Sequence, residues 1–258
     1  MQLDYIAHNA FQAHVLKDFP NEAVGLVIGG KYFACTNTSD EPTKRFRLDM
    51  RERKALEQQH GPIQALMHSH PYTKDDSKAH WRIRYNPVWP SVADQTAYLA
   101  DDVPWGIAST DGQGLSEILW MSEEMLPLIQ RTFAVFTSDC YTAVRDWHRT
   151  NTGIVLPNFP RAFRWWENGP NGEKGLNTIE ENLLTLKNVA RHEPSKAEYG
   201  DIAVFAVCGS QNTNHLGVIC GNNEMYHHMP AVRSQYAVIA RWDEYRPTCR
   251  YVVRIGKE

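Results

Sequence analysis

No basic excess marks this chain: 27 lysines and arginines face 30 aspartates and glutamates, a formal net charge of −3. A phosphate backbone finds no broad cationic surface here, so nucleic acid is not an expected partner. Long apolar runs are missing too. None approaches the roughly 18–20 residues that a membrane span requires, so no span is expected. The opening residues, Met1-Gln2-Leu3-Asp4-Tyr5, lack a basic stretch leading into an apolar one, and no signal peptide is read there. Cysteine is scarce and its spacing is wrong for a framework: five residues, at 35, 140, 208, 220 and 249, with no Cys-x-x-Cys. That pattern argues against a disulfide scaffold and against a Cys-rich zinc ribbon. Internal repeats and low-complexity tracts are lacking as well. What remains is an average globular composition, 42% hydrophobic and 22% charged over 258 residues, with room for one large domain or two modest ones. Against it stand 11 histidines, and their positions carry the functional argument.

Periodicity divides the chain into two α+β halves, 1–122 and 123–258. In the first, a helix over 5–17 precedes a Val24–Ile28 strand and a Gly29-Gly30 turn. A polar helix follows over 49–59. Ile63–Met67 reads as a strand running into His68-Ser69-His70-Pro71. Residues 72–90 read as a loop or flap. Ser91 caps a helix carrying Ala97, Tyr98 and Leu99, and strands follow over 105–109 and 115–121. In the second half, Ser138-Asp139 precedes a helix over 140–150. An irregular stretch covers 151–175, and a helix is expected over 177–190. Short strands then recur over 201–207, 215–220, 224–228, 237–242 and 251–255.

In the first half, His68 and His70 lie two apart. Strand period two puts both imidazoles on one face, where one metal ion can meet both. Asp94, on the first turn of the next helix, is a sensible third ligand. Three protein ligands and an open position are what a catalytic zinc requires. Zinc lowers the pKa of water at that position toward about 7. Glu22, just before the Val24–Ile28 strand, is the candidate general base. A His-x-His pair alone is equally compatible with an ordinary strand end. The order is more specific: Glu22, then His68-Ser69-His70-Pro71, then Ser91-Val92-Ala93-Asp94. It resembles the JAMM (MPN-type) metallopeptidases over roughly residues 1–120. The resemblance implies a deaminase-like α/β domain with Glu22 as acid/base and Zn2+ on His68, His70 and Asp94. It also implies that Ser91 steadies a tetrahedral intermediate. One departure is clear. Nineteen residues separate Pro71 from Ser91 where the family has about seven, and Trp81, Arg82, Arg84 and Trp89 in that insertion suggest a lid or docking surface.

In the second half, Cys140 opens a helix, where the helix dipole and unsatisfied N–H groups favour a thiolate. Its base would be His215, at a strand start, oriented by His227 near the end of the next strand. Spacing favours His227 over His228, whose side chain points to the other face. Buried packing is the plain alternative for a single cysteine. The set Asp139-Cys140, Gly200-Asp201 and Asn214-His215-Leu216-Gly217-Val218, with a polar residue twelve further on, resembles the NlpC-type papain-like cell-wall peptidases over about residues 125–255. That resemblance implies a Cys140, His215, His227 triad cleaving peptidoglycan stem peptides. The family's tyrosine upstream of the nucleophile has no counterpart among residues 131–136. Cys208, Cys220 and Cys249 read as core. His8, His14, His60, His80, His148 and His192 read as surface or cap residues.

The order of the two halves resembles the phage tail-tip assembly proteins of the lambda K type. It implies a two-headed hydrolase, located in a virion tail tip or in host cytoplasm during assembly. Expected partners are peptidoglycan and other tail-tip proteins, a ubiquitin-like fold among the candidates. Two other classes share these features. One is a structural assembly factor with binding-only sites. The other is a bacterial cell-wall or ubiquitin-like-deconjugating hydrolase.

Overall fold

A computed structural model describes residues 3–72, 86–168, 174–230 and 237–256. The chain forms two compact units, residues 1–123 and 124–258, of mixed α and β content with one sheet each. Among the described residues, no helix is long and apolar enough to cross a membrane.

The first unit begins with α1 (Tyr5–Asp18), which buries Ala7, Phe11 and Val15 at four-residue spacing. Asp4 caps it, its carboxylate accepting the Ala7 N–H at 2.7 Å. β1 (Val24–Ile28) and β2 (Lys31–Cys35) form a hairpin around Gly29 and Gly30, with φ of 57° and 75°. Two successive left-handed residues match the twist of a two-residue hairpin, and glycine takes that conformation without strain. α2 (Met50–His60) buries none of its residues. β3 (Ile63–Pro71), α3 (Val92–Leu99) and β4 (Trp105–Thr110) make a crossover that lays β3 and β4 parallel. β5 (Leu119–Met121) completes the order β2-β1-β3-β4-β5. Phe11, Val15, Val27, Ala65, Met67 and Ala108 fill the core on one face.

The second unit packs α4 (Cys140–Asn151) against an antiparallel sheet. Its members are β6 (Val189–His192), β7 (Ile202–Phe205), β8 (His215–Gly221), β9 (Glu224–His228), β10 (Ala237–Arg241) and β11 (Cys249–Ile255). Their order is β10-β9-β8-β7-β11-β6. Tyr141, Val144 and Trp147 of α4 meet Val204, Leu216, Val218 and Tyr226 in one core. Two short helices, α5 (Thr178–Leu183) and α6 (Trp242–Tyr245), flank the strands.

Several expectations change. The strand carrying the histidine pair does not stop at Met67. It continues to Pro71, because β4 pairs it through His68 opposite Ile107 and His70 opposite Ser109. The 115–121 strand shrinks to Leu119–Met121, with Leu115 making only an isolated bridge to Thr110. The helix expected over 177–190 stops at Leu183. Ile179 and Leu183 supply its buried face, Asn188 turns left-handed at φ 55°, and the chain enters the sheet as β6. Most of the 72–90 insertion, with Trp81, Arg82, Arg84 and also His80, lies outside the described residues. Trp89 is buried, so it serves the core and not a docking surface. His148 is buried, not a surface residue, and Cys208 is exposed, not core.

Candidate functional sites

In the first unit, the strand pair sets up the site by register. Val24 lies opposite His68 in the antiparallel β1–β3 pair. Continued two residues back, that register places Glu22 opposite His70. Ser69 locks the junction. Its backbone N–H donates to the Ala23 carbonyl at 3.0 Å, and its Oγ accepts the Ala23 N–H at 2.9 Å. Asn37 Nδ2 donates to the Glu22 carbonyl at 2.9 Å. The Glu22 N–H donates to the Pro42 carbonyl at 2.7 Å.

His68 and His70 bring their Nε2 atoms within 3.1 Å of each other. Asp94 faces both, its Oδ1 3.4 Å from His68 Nε2 and its Oδ2 3.3 Å from His70 Nε2. These three residues form a group that could hold a metal ion, with donor atoms all within 4.8 Å of one another. A capping box fixes the carboxylate: Asp94 Oδ2 accepts the Ser91 N–H at 2.8 Å, and Ser91 Oγ accepts the Asp94 N–H at 3.2 Å. The outer nitrogen of His70, Nδ1, meets the Pro87 carbonyl at 2.7 Å. A carbonyl only accepts, so Nδ1 carries a proton, and in the neutral form of the ring Nε2 is the bare nitrogen that a metal at the shared point would take. The donor set, two imidazole nitrogens and one carboxylate, suits zinc or another first-row divalent ion. His68 is fully buried between Phe46 and Trp105, with ring centroids at 4.6 and 5.8 Å.

The charges are coupled. Burial pushes the Glu22 carboxyl up to about 7, with the facing His70 holding it back and Asp94 adding to the rise. Burial also works against the charge on Asp94, but His68 and His70 outweigh it and hold that carboxyl well below the usual range. Burial lowers His68. For His70 burial acts downward too, but Asp94, Glu22 and the Pro87 carbonyl together carry it above its ordinary value. Glu22, His70, Ser91 and Asp94 open onto a cleft of about 1040 Å³. Ser91 sits exposed at its rim.

In the second unit, β8 and β9 bring His215 and His227 together, with Nε2 of one 3.0 Å from Nδ1 of the other. Phe205 lies against His215 and Tyr245 edge-on to His227, with centroids at 5.7 and 5.0 Å. His228 points the other way and packs on Phe133. Cys140 is buried at the start of α4, where the Leu216 and Tyr141 N–H groups favour its thiolate. Among the described residues, the thiol makes no hydrogen bond to an imidazole. Burial, with the charge of Asp139 behind it, pushes the thiol up to about 12. The expected thiolate at the helix dipole is therefore not the resting state. Asp139 has taken the helix terminus instead, its Oδ1 accepting the Thr142 N–H at 2.9 Å. Burial likewise lowers His215 well below its ordinary value, and His227 to about 4. The site rests as neutral thiol and neutral imidazoles.

Sequence reasoning missed Arg161, which is 1% exposed. It pairs with Asp139 through Nε at 2.6 Å and Nη2 at 2.8 Å, with the neighbouring Tyr141 and Phe159 rings both 5.2 Å from its guanidinium carbon. This cation counters the carboxylate beside Cys140. A buried aspartate needs such a partner, and the partner lies in a stretch without periodicity. Trp165 and Trp166 pack edge to face, with Trp166 partly buried against the core. Trp165 joins the core, and its Nε1 donates to the Thr213 carbonyl at 3.3 Å, bracing the loop before His215.

Two curated proteins are similar to this chain. The Tail tip assembly protein K of Escherichia phage N15 is 28% identical over 234 residues, spanning 88% of this chain and 86% of that protein. The Tail tip assembly protein K of Escherichia phage lambda is 29% identical over 170 residues, spanning 66% of this chain and 71% of that protein. No family model matches the chain.

Proposed function

We propose that this chain is a phage tail-tip assembly protein that also carries two hydrolytic centres, one in each unit. The assembly role, a place in the virion tail and other tail proteins as partners follow from the similarity to the two K proteins. In this reading the first unit is a JAMM-type metallopeptidase domain and the second an NlpC-type cysteine peptidase domain acting on peptidoglycan stem peptides. The observation that carries the hydrolytic part is the presence, in one chain, of a His68, His70, Asp94 donor set facing Glu22 and of a His215–His227 couple in the same unit as a helix-borne Cys140, whose thiol meets the backbone of Leu216, the residue after His215.

His68, His70 and Asp94 would hold zinc, which supplies Lewis acidity when bound. Glu22, with a carboxyl near 7, is suited to take a proton from an attacking water and return it to the leaving amine. Ser91 holds Asp94 in place through the capping box. In the second unit the steps are those of a thiol peptidase. His215 takes the thiol proton. The sulfur attacks the amide carbon, and His215 delivers the proton to the departing amine. His227 holds the tautomer and ring orientation of His215 through their mutual hydrogen bond. Water then releases the acyl group.

The test is release of new amino groups from purified peptidoglycan. Wild type is expected to release them and Cys140→Ala to fall to background. Full retention in Cys140→Ala would overturn the cysteine reading. A second reading, pure assembly, draws on the resting thiol at about 12 and its lack of an imidazole partner among the described residues. Phage carrying both Cys140→Ala and His68→Ala separate the two. Normal, fully infectious tails from that double variant would favour assembly alone.

A further inference from the structure

The cleft over His68, His70 and Asp94 has an uneven lining. Four cations border it: Lys44, Arg45, Arg47 and Arg53. Three already have anions. Lys44 pairs with Glu41 at 2.9 Å, Arg45 with Glu41 at 2.7 Å, and Arg53 with Asp101 at 2.7 Å. Arg47 has no ion pair among the described residues, and it is exposed. Its backbone is nevertheless pinned. Its N–H donates to Asn37 Oδ1 at 3.0 Å, and its carbonyl accepts from the Thr38 N–H and from Thr38 Oγ1, both at 2.9 Å. The same Asn37 holds the Glu22 carbonyl through Nδ2 at 2.9 Å. One side chain thus ties the residue bearing the uncommitted guanidinium to the residue bearing the carboxyl beside the triad. The neighbouring wall is apolar: Phe46 stacks toward His68 at 4.6 Å, and Met50, 65% exposed, lines the same cleft.

An exposed cation anchored through its backbone stands here next to an apolar wall, with no carboxylate in ion-pair range among the described residues and only a longer-range influence on Asp40. That arrangement is complementary to a ligand bearing a carboxylate and an apolar side chain a few residues apart. A complementary charge at the cleft steers such a ligand and fixes its register. We infer that this cleft takes an extended polypeptide segment whose apolar side chain seats on Phe46 and Met50 and whose carboxylate meets Arg47. The bond presented to the triad then lies in an acidic-apolar sequence. The cleavage part rests on the metallopeptidase reading, whereas the binding part does not.

The test is binding of dansyl-labelled hexapeptides to the full chain, loaded with zinc, in a Cys140→Ala background that silences the second unit. The peptides carry one fixed leucine and either Glu, Gln or Lys at each other position. A Glu peptide is expected to bind roughly tenfold tighter than its Gln counterpart at low salt, the size of one partly exposed charge-assisted hydrogen bond. Arg47→Gln is expected to abolish that preference and Arg47→Glu to transfer it to the Lys peptide. Arg51→Gln, an exposed residue of α2 outside the cleft lining, should leave it unchanged. Thermal melting of each variant confirms the fold. Equal binding of Glu and Gln peptides by wild type, or a preference that survives Arg47→Gln, would overturn the inference. So would equal competition by a single-stranded oligonucleotide of matched charge. Arg47-dependent binding without hydrolysis would uphold the inference and sink the metallopeptidase reading. Hydrolysis without acidic preference would do the reverse.

Discussion

The two units place their polar clusters in opposite electrostatic surroundings. In the first, Asp94 stays ionised because two imidazoles face it, and the group opens onto a large cleft. In the second, Cys140, His215 and His227 are all buried, and burial keeps each in its neutral form. The carboxylate next to Cys140, Asp139, is matched by Arg161 and used to cap α4. The chemistry of the donor atoms does not explain the contrast, since a cysteine and two histidines are themselves good zinc ligands. Geometry does. Among the described residues, the metal-type convergence occurs only at His68, His70 and Asp94. On the proposed reading, the charged, convergent cluster would gather a cation and the neutral one would exchange a proton.

The largest predicted effect tests how deeply the second unit depends on its buried pair. Arg161→Met leaves Asp139 charged and unmatched in the interior and should cost about 3–5 kcal/mol in urea unfolding. Arg53→Met, which breaks the more exposed pair with Asp101, should cost about 1 kcal/mol. Equal losses would erase the contrast between the units.

Acid should act next. Burial holds His148 at about 4, against 6.5 for an ordinary histidine. Between those values the unfolded chain binds the extra proton, so stability rises with pH across the window. The contribution is complete above about 6.5 and lost as pH falls through about 4. For His148 it is on the order of 3 kcal/mol, and His227 acts in the same sense. Protection factors of amides in α4 and β8, taken relative to the intrinsic exchange rate at each pH, should therefore fall between pH 6.5 and 4, and His148→Leu should flatten that dependence. Protection factors that do not change with pH across the window would contradict the neutral-histidine picture.

Smaller effects sharpen the first site. Ser69→Ala strips the Ala23 N–H of its Oγ acceptor, at a cost of about 1–3 kcal/mol measured by denaturant unfolding. Ser91→Ala removes the cap of α3 and should cost about 1 kcal/mol in metal-free protein. A loss well above that would mean the hydroxyl supports more than the helix.

What the residues alone disclosed follows the range of the interactions involved. The α1 spacing, the Gly29-Gly30 hairpin and the Ser91 cap are local, and each could be read from a few neighbouring residues. The strand period placed His68 and His70 on one face, and the site geometry agrees. The extent of β3 was not legible, because β4 sets it from about 40 residues away in sequence by pairing through Pro71. The end of α5 was hidden for a similar reason, since the chain is recruited there as β6 by β11. Arg161 gave no signal at all in an irregular stretch, and its role exists only once Asp139 is buried. The same burial reversed the expected charge state of Cys140, because helix-dipole arguments assume a terminus open to water or to the thiolate itself. Residue type suggested where chemistry sits, and environment decided its protonation.

The most direct test of the contrast is metal content. Zinc bound per full-length chain should be measured after loading and buffer exchange, for wild type, His68→Ala and His227→Ala. We predict one zinc in wild type, none in His68→Ala and an unchanged one in His227→Ala. Wild type that binds no zinc, or zinc lost from His227→Ala and kept by His68→Ala, would contradict a charged, metal-gathering first site set against a neutral, metal-free second one.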